Sequence, residues 1–357
     1  MPGSAPRSTR HFLGLDGLRG VAALFVVLLH ATAPFGLNGA IPHAELAVDF
    51  FFLLSGFVIT HAYEKRLLSA LSLGGFLRIR LTRLYPLYLL GLVIGVAVYA
   101  GRTALIGHTA AGPDVAIAIA SNLLMLPTVA IRRRGWADIM PFDIPAWSLF
   151  FEMLVNLAYV AALPLLSGRV LRATVVAGAL LVFLQAYHLG AVTGGGTPGQ
   201  LVFGLGRVIY PFFLGVLLYR MRAFEPDRAP PFLVVVALLA LSFLWRPPVP
   251  TWLFESLVVV GLYPLLVMWG SRCRLPAAMA AACRFAGDLS YPLYILHYPF
   301  VHLFSHLARQ FARTTAQVVA VIAVEILFQL LLAYAAARLF DEPVRAWLSG
   351  RLRAVRA

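Results

Sequence analysis

Four ionisable side chains, His30, Asp49, Glu152 and Arg207, interrupt long apolar runs in this 357-residue chain. An ionisable residue inside a membrane span is costly and normally faces a bundle interior or a polar partner, so each is a candidate for chemistry. Histidine exchanges its proton near neutral pH, and a carboxylate beside it would orient the ring and keep it basic. His30 with Asp49 or Glu152 therefore reads as a general base and its orienting acid. A second group is basic: Arg19, and Arg78-Ile79-Arg80-Leu81-Thr82-Arg83. On a helix, Arg80 and Arg83 at i, i+3 share a face, where forked, charge-assisted bonds would suit a phosphorylated ligand. The bland alternatives are that the arginines only fix topology against lipid phosphate, and that His30 only bonds a neighbouring helix.

These residues must be positioned by membrane spans. The composition is 61% hydrophobic and 12% charged, with a mean hydropathy of +0.85. Soluble chains carry about 25% charged residues, so a single soluble globule is excluded. The net charge of +14 comes from one lysine, Lys65, and otherwise arginine. Those charges flank apolar runs, which makes them topology determinants on the cytoplasmic side rather than a nucleic-acid surface. The expected fold is all-α, a polytopic transmembrane bundle. Apolar runs fall at 18–37, 46–63, 84–100, 114–131, 147–166, 170–189, 201–219, 232–246, 252–270, 289–306 and 316–338.

Parity decides how many of these runs cross. The basic stretches Lys65 to Arg83, Arg169 to Arg172, Arg220 to Arg228, Arg272 to Arg284 and the tail after Arg338 share the cytoplasmic side only if an even number of crossings separates neighbours. Three runs separate Arg83 from Arg169, so one does not cross. The run 114–131 holds Asp114, Ser121, Asn122 and Pro127 and ends in Arg132-Arg133-Arg134. It is expected to lie along or dip into the outer face. About ten spans and one re-entrant or interfacial segment remain, with both termini inside.

Depth follows from the spans. His30 lies 12 residues beyond Leu18, about 18 Å along the helix at 1.5 Å per residue. Asp49 opens the returning span, Glu152 lies about one turn into the fourth, and Arg207 lies early in the sixth. The four converge on an outer layer, while Arg19, Arg80 and Arg83 lie at the inner mouth. His297, midway along the ninth span, is a second histidine candidate whose alternative is a structural bond between spans. Glu255 and Glu325 find no partner and are taken as structural. Gly194-Gly195-Gly196 is expected as a flexible outer loop; it lacks the strand and helix context of a phosphate cradle. Cys273 and Cys283 match no metal spacing, and no metal site is expected. The first apolar run lacks a small-residue cleavage site and reads as a span rather than a cleaved signal.

The same residues resemble the motifs of the membrane acyltransferase family 3. Leu15-Asp16-Gly17-Leu18-Arg19-Gly20 followed by His30 resembles the family's opening. Val48-Asp49-Phe50-Phe51-Phe52-Leu53-Leu54-Ser55-Gly56-Phe57 is similar to its second-span motif. Arg80-Leu81-Thr82-Arg83-Leu84-Tyr85-Pro86 is similar to its R-x-x-R-L-Y-P loop, Trp147-Ser148-Leu149 with Glu152 to W-S-L-x-x-E, and Leu289-Ser290-Tyr291-Pro292-Leu293-Tyr294-Ile295-Leu296-His297 to its late-span motif. Phe150-Phe151 depart from the small polar residue that relatives often carry before that glutamate.

The resemblance implies an integral membrane O-acyltransferase covering residues 1–345, with 346–357 a short basic cytoplasmic tail. It would move an acyl group, usually acetyl, from cytoplasmic acyl-CoA to a hydroxyl. The acceptor would be an extracytoplasmic carbohydrate, a glycolipid or a secondary metabolite. Acetyl-CoA would be a co-substrate, with no permanently bound cofactor, in a bacterial inner membrane. His30 would be the essential histidine, and Arg19, Arg80 and Arg83 the residues tied to acyl-CoA. Asp49 or Glu152 would hold the imidazole and Arg207 would stabilise the oxyanion; Trp147, Tyr291 and His297 are further motif candidates. A covalent acyl-enzyme is the other chemistry. Some relatives carry an additional esterase-like domain; without one, transfer is direct or passes to a separate extracytoplasmic acyl-accepting protein. The competing class is a proton-coupled or anion transporter, but no repeated halves are visible, and the polar residues divide into two layers as a two-substrate enzyme requires.

Overall fold

The computed structural model describes residues 11–106, 112–129, 137–222 and 229–354. Among them every regular element is helical, as expected where backbone groups have no water to bond. The α-helices are α1 (Leu13–Thr32), α2 (Ala47–Leu67), α3 (Leu73–Ile106), α4 (Pro113–Leu123), α5 (Ala146–Ala162), α6 (Gly168–Leu189), α7 (Leu201–Met221), α8 (Phe232–Leu244), α9 (Thr251–Leu257), α10 (Tyr263–Gly270), α11 (Ala277–Leu296), α12 (Tyr298–Phe311), α13 (Thr315–Ala336) and α14 (Glu342–Ala354). Among the described residues, eight helical segments are long and apolar enough to cross a membrane, and the 13-residue α8 is a shorter apolar helix beside them. The chain is a polytopic helical bundle.

The run 114–131 does not form a span. α4 has 11 residues, about 17 Å of helix against a hydrocarbon core of roughly 30 Å. The chain then turns back at Met125, whose φ is +55°, and the Thr128 amide donates to the Ile139 carbonyl. Asn122 holds this reversal, donating to the Leu126 and Ile139 carbonyls and to Thr128 Oγ1. The arginines 132–134 lie outside the described residues.

Small residues set which helices touch. α1 and α11 run parallel and pack closely, because a Cβ at Gly17 would stand 2.6 Å from Cys283 Sγ and one at Gly20 2.5 Å from Ala286 Cβ. Backbones approach in this way where side chains are absent. α2 and α7 form the second tight pair, pinned at one end by Asp49 with Arg207 and at the other by Glu64 with Arg220.

The expected span 289–306 is replaced by two helices. α11 ends at Leu296, and Pro299, lacking an N–H, cannot bond the Ile295 carbonyl one turn back. His297 therefore sits at a break between α11 and α12 and not midway along a span. The arginine-rich end of the bundle holds the start of α1 and α11 and the end of α13; the break lies toward the opposite end. The tail from 346 is helical as far as 354 and belongs with α14.

Candidate active site

The close packing of α1 on α11 builds the site. At the arginine-rich end, Arg19 Nε donates to Ser290 Oγ at 2.8 Å, and its Nη2 donates to the Gly287 carbonyl at 2.7 Å and pairs with Asp16 at 3.3 Å. Eleven residues further along α1, His30 Nδ1 meets His297 Nε2 at 3.0 Å. The two helices therefore carry one arginine anchor and one histidine pair along a shared seam.

The hydrogen-bond network fixes the protons. His297 Nδ1 lies 2.8 Å from the Tyr294 carbonyl and 3.1 Å from that of Leu293. Carbonyl oxygens only accept, so this nitrogen carries the proton. In the neutral ring Nε2 is then an acceptor and receives the Nδ1–H of His30. In the neutral His30 ring the lone pair is then assigned to Nε2. The Tyr298 ring holds His30 edge-on at 5.1 Å. His297 is buried and His30 half-buried. The His297 carbonyl in turn accepts from Gln329 Nε2 at 3.3 Å, and the same amide donates to Glu325 at 2.8 Å. Glu325 therefore has a partner, four residues away on α13.

Neither candidate acid bonds to His30. Asp49 receives Arg207 Nη2 at 2.6 Å and Nε at 3.2 Å in a fully buried pair. Arg207 also donates to the carbonyls of Gly194 at 3.1 Å and Glu45 at 3.2 Å. These engage four of its five N–H donors, and its guanidinium lies 5.3 Å from the Trp147 ring centroid. The group expected to stabilise an oxyanion is committed to structure. Trp147 has its other contact with Gly195, where φ is +112° and a Cβ would stand 2.7 Å from the indole. Gly194-Gly195-Gly196 is thus not a flexible loop but a packed strap, held further by the Ile139 amide on the Gly196 carbonyl.

Glu152 lies deeper than one turn into the bundle. Its Oε1 receives Arg80 Nη2 at 2.7 Å and Ser55 Oγ at 2.8 Å. Arg80 is 6% exposed, so it points into the bundle while Arg83, one turn on, lines a cavity at the arginine-rich end. The expected Arg80–Arg83 mouth is accordingly split. That cavity, about 420 Å³, is bordered by Arg19, Arg83 and Tyr291 among others, and Tyr291 donates to the Leu84 carbonyl. Arg80, Glu152 and Ser55 thus form a polar cluster of three helices, α3, α5 and α2. Glu255 is also satisfied, accepting from the Val192 amide and lying 2.7 Å from His43.

Sequence reasoning missed the tie between His30 and His297, which lie 267 positions apart; the signal that could have found it is the proline two residues after His297. It also missed Ser55 and the hydroxyl pair Ser148 and Tyr294, 2.7 Å apart behind the break. Among the described residues no cluster of histidine, cysteine or carboxylate groups could hold a metal ion.

A family model described as an acyltransferase domain matches residues 12–336. Protein 2 in the picA locus of Rhizobium radiobacter is 42% identical over 158 residues, 42% of this chain and 80% of that protein. The exopolysaccharide production protein ExoZ of Rhizobium meliloti (strain 1021) is 27% identical over 289 residues, 76% of this chain and 80% of its own length. No solved structure matches the chain. With the five motifs matched in order and the family model spanning nearly all of the bundle, the chain belongs to the membrane acyltransferase family 3.

Proposed function

We propose that this acyltransferase moves an acetyl group from acetyl-CoA at the arginine-rich, cytoplasmic end of the bundle to a hydroxyl of a carbohydrate acceptor at the opposite end. The observation that carries the reading is the contact of His30 Nδ1 with His297 Nε2, His30 lying on the same helix that presents Arg19 to the basic cavity. Cationic residues favour the cytoplasmic side, which sets the orientation and puts both ends of the chain inside. The name of the exopolysaccharide production relative supports a polysaccharide acceptor.

In the reaction, His30 Nε2 removes the acceptor hydroxyl proton as the oxygen attacks the thioester carbonyl. The carbon–sulfur bond breaks on collapse of the tetrahedral intermediate. The imidazolium then returns its proton to the thiolate, leaving free CoA and an acetyl ester. His297 acts through His30 as a positioning residue, holding the Nδ1–H so that the reactive lone pair points away from it. Asp49 and Arg207 together hold the outer ends of α2 and α7, and Arg80 with Glu152 ties α3 to α5.

The test is thiol release from acetyl-CoA by the purified protein in liposomes, with and without a panel of bacterial polysaccharides. Acceptor-dependent release with acetyl recovered on the sugar is expected. Absence of both acetyl-CoA binding and turnover would contradict the reading.

A further inference from the structure

The cavity at the arginine-rich end has a wall that the reading above does not use. From Tyr334 to Ser349 the chain turns one helical face toward it, with Tyr334, Arg338, Asp341 and Arg345 in register at three- to four-residue spacing. A π-turn, Ala337–Asp341, joins α13 to α14 within this stripe, and such turns recur at functional sites. The result is that Arg338 and Arg345 border the same space as Arg19 of α1 and Arg83 of α3.

The four guanidinium groups are differently engaged. No carboxylate pairs with Arg83 among the described residues. Arg338 pairs with Glu342, both exposed, and Arg345 Nη1 bonds the buried Asp341 at 2.9 Å, each pair linking the π-turn to α14. An exposed pair is weak, so a phosphate would displace Glu342 from Arg338, while Arg345 has further N–H donors to offer beside its bond to Asp341. Phe285 and Tyr334, with ring centroids 6.1 Å apart, also line the cavity and offer flat apolar faces. The volume of about 420 Å³ suits a nucleotide-sized group. On the outer side of α14, Trp347 is exposed with Arg351 stacked over it at 4.2 Å. That pairing of aromatic and basic residues belongs at a membrane surface and would keep the helix in place as a wall.

We propose that Arg338 and Arg345 of the C-terminal helix are further donor-binding residues, holding the phosphates of the nucleotide end of the acyl donor opposite Arg19 and Arg83. The proposal rests on the reading that the donor is an acyl-CoA. An anionic lipid headgroup offers the same phosphate chemistry; the aromatic pair and the continuity with Arg19 on the base-bearing helix favour the nucleotide.

The test compares acetyl-CoA with 3′-dephospho-acetyl-CoA as donors for the full-length protein. Turnover is measured in detergent and in phosphatidylcholine vesicles with and without phosphatidylglycerol. The double variant Arg338→Ala, Arg345→Ala is expected to raise KM for acetyl-CoA about tenfold or more and to lose the preference for the 3′-phosphate. Arg338→Lys with Arg345→Lys recovers part of that affinity, and Arg172→Ala on α6, outside the cavity, leaves both quantities as in the wild type. Wild-type KM and preference in the double alanine variant would overturn the proposal alone. So would an effect confined to phosphatidylglycerol vesicles, which would identify a lipid site. Failure of the wild type to bind acetyl-CoA at all would overturn the donor reading and this proposal with it.

Discussion

His30 Nδ1 and His297 Nε2 lie 3.0 Å apart across the seam of two parallel helices whose sequences are separated by most of the chain. The arrangement differs from the histidine–carboxylate pair that is the usual expectation for a general base. A neutral imidazole stabilises the developing imidazolium less than a carboxylate would, but it fixes which nitrogen of His30 carries the lone pair. The two carboxylates that could have served are each bound to a buried arginine instead, Asp49 to Arg207 and Glu152 to Arg80.

The seam depends on glycine, which gives a first prediction. Gly17→Leu introduces a side chain where even a Cβ would stand 2.6 Å from Cys283 Sγ and 2.7 Å from the Phe232 ring. Overpacking of this kind costs about 1–3 kcal/mol and pushes α1 from α11. Both ends of the seam should fail together, with donor KM rising and turnover falling. Steady-state kinetics and thermal unfolding of the purified variant check this; a change in stability alone would show that the seam does not couple the two.

The Asp49–Arg207 pair predicts a stability phenotype. Removing one member of a buried ion pair costs about 3–5 kcal/mol, because the other charge is stranded. Arg207→Gln and Asp49→Asn should each lower the unfolding temperature in detergent, and the double variant should recover part of the loss. Full additivity of the two single effects would contradict the pairing.

Gly195 makes a third case. Its φ of +112° and the 2.7 Å approach of its Cβ position to Trp147 mean that Gly195→Ala must move the strap, the indole or both. A loss of roughly 1–3 kcal/mol is expected. Tryptophan fluorescence and thermal unfolding report it, and an unchanged spectrum with unchanged stability would show that the strap is not packed.

Topology supplies a fourth. A ten-span bundle with a non-crossing α4 places the α2–α3 connection, the α10–α11 connection and the C-terminus on one side. A C-terminal fluorescent-protein fusion should glow, and a C-terminal alkaline phosphatase fusion should be inactive. The reverse pattern would restore 114–131 as a crossing.

The spans were legible because hydropathy reports burial in lipid directly, and the failure of 114–131 to cross was legible because charge parity counts crossings. Which helices pair was not. Hydropathy is blind to neighbours, and Gly17 and Gly20 read as part of a motif until the α1–α11 contact explained them as spacers. The depth estimate put Asp49 and Arg207 in one layer but assigned Asp49 to His30 and Arg207 to an oxyanion, since one-dimensional depth carries no azimuth. Glu152 was misplaced for a similar reason: Arg80 and Ser55, from two other helices, bond it inside the bundle, a partnership that depth along one span does not reveal. Arg338 and Arg345 went unnoticed as cavity residues because the π-turn that aims them leaves no compositional mark.

Acceptor-dependent acetyl transfer from acetyl-CoA by purified variants tests whether His30 Nε2, oriented by His297, is the base. His30→Ala should lose about 10²–10⁴-fold in turnover. His297→Leu should lose on the order of 10–100-fold through misorientation of the ring, with donor KM near the wild-type value. Wild-type turnover in His30→Ala, or equal and complete loss of donor binding in both variants, would contradict the claim.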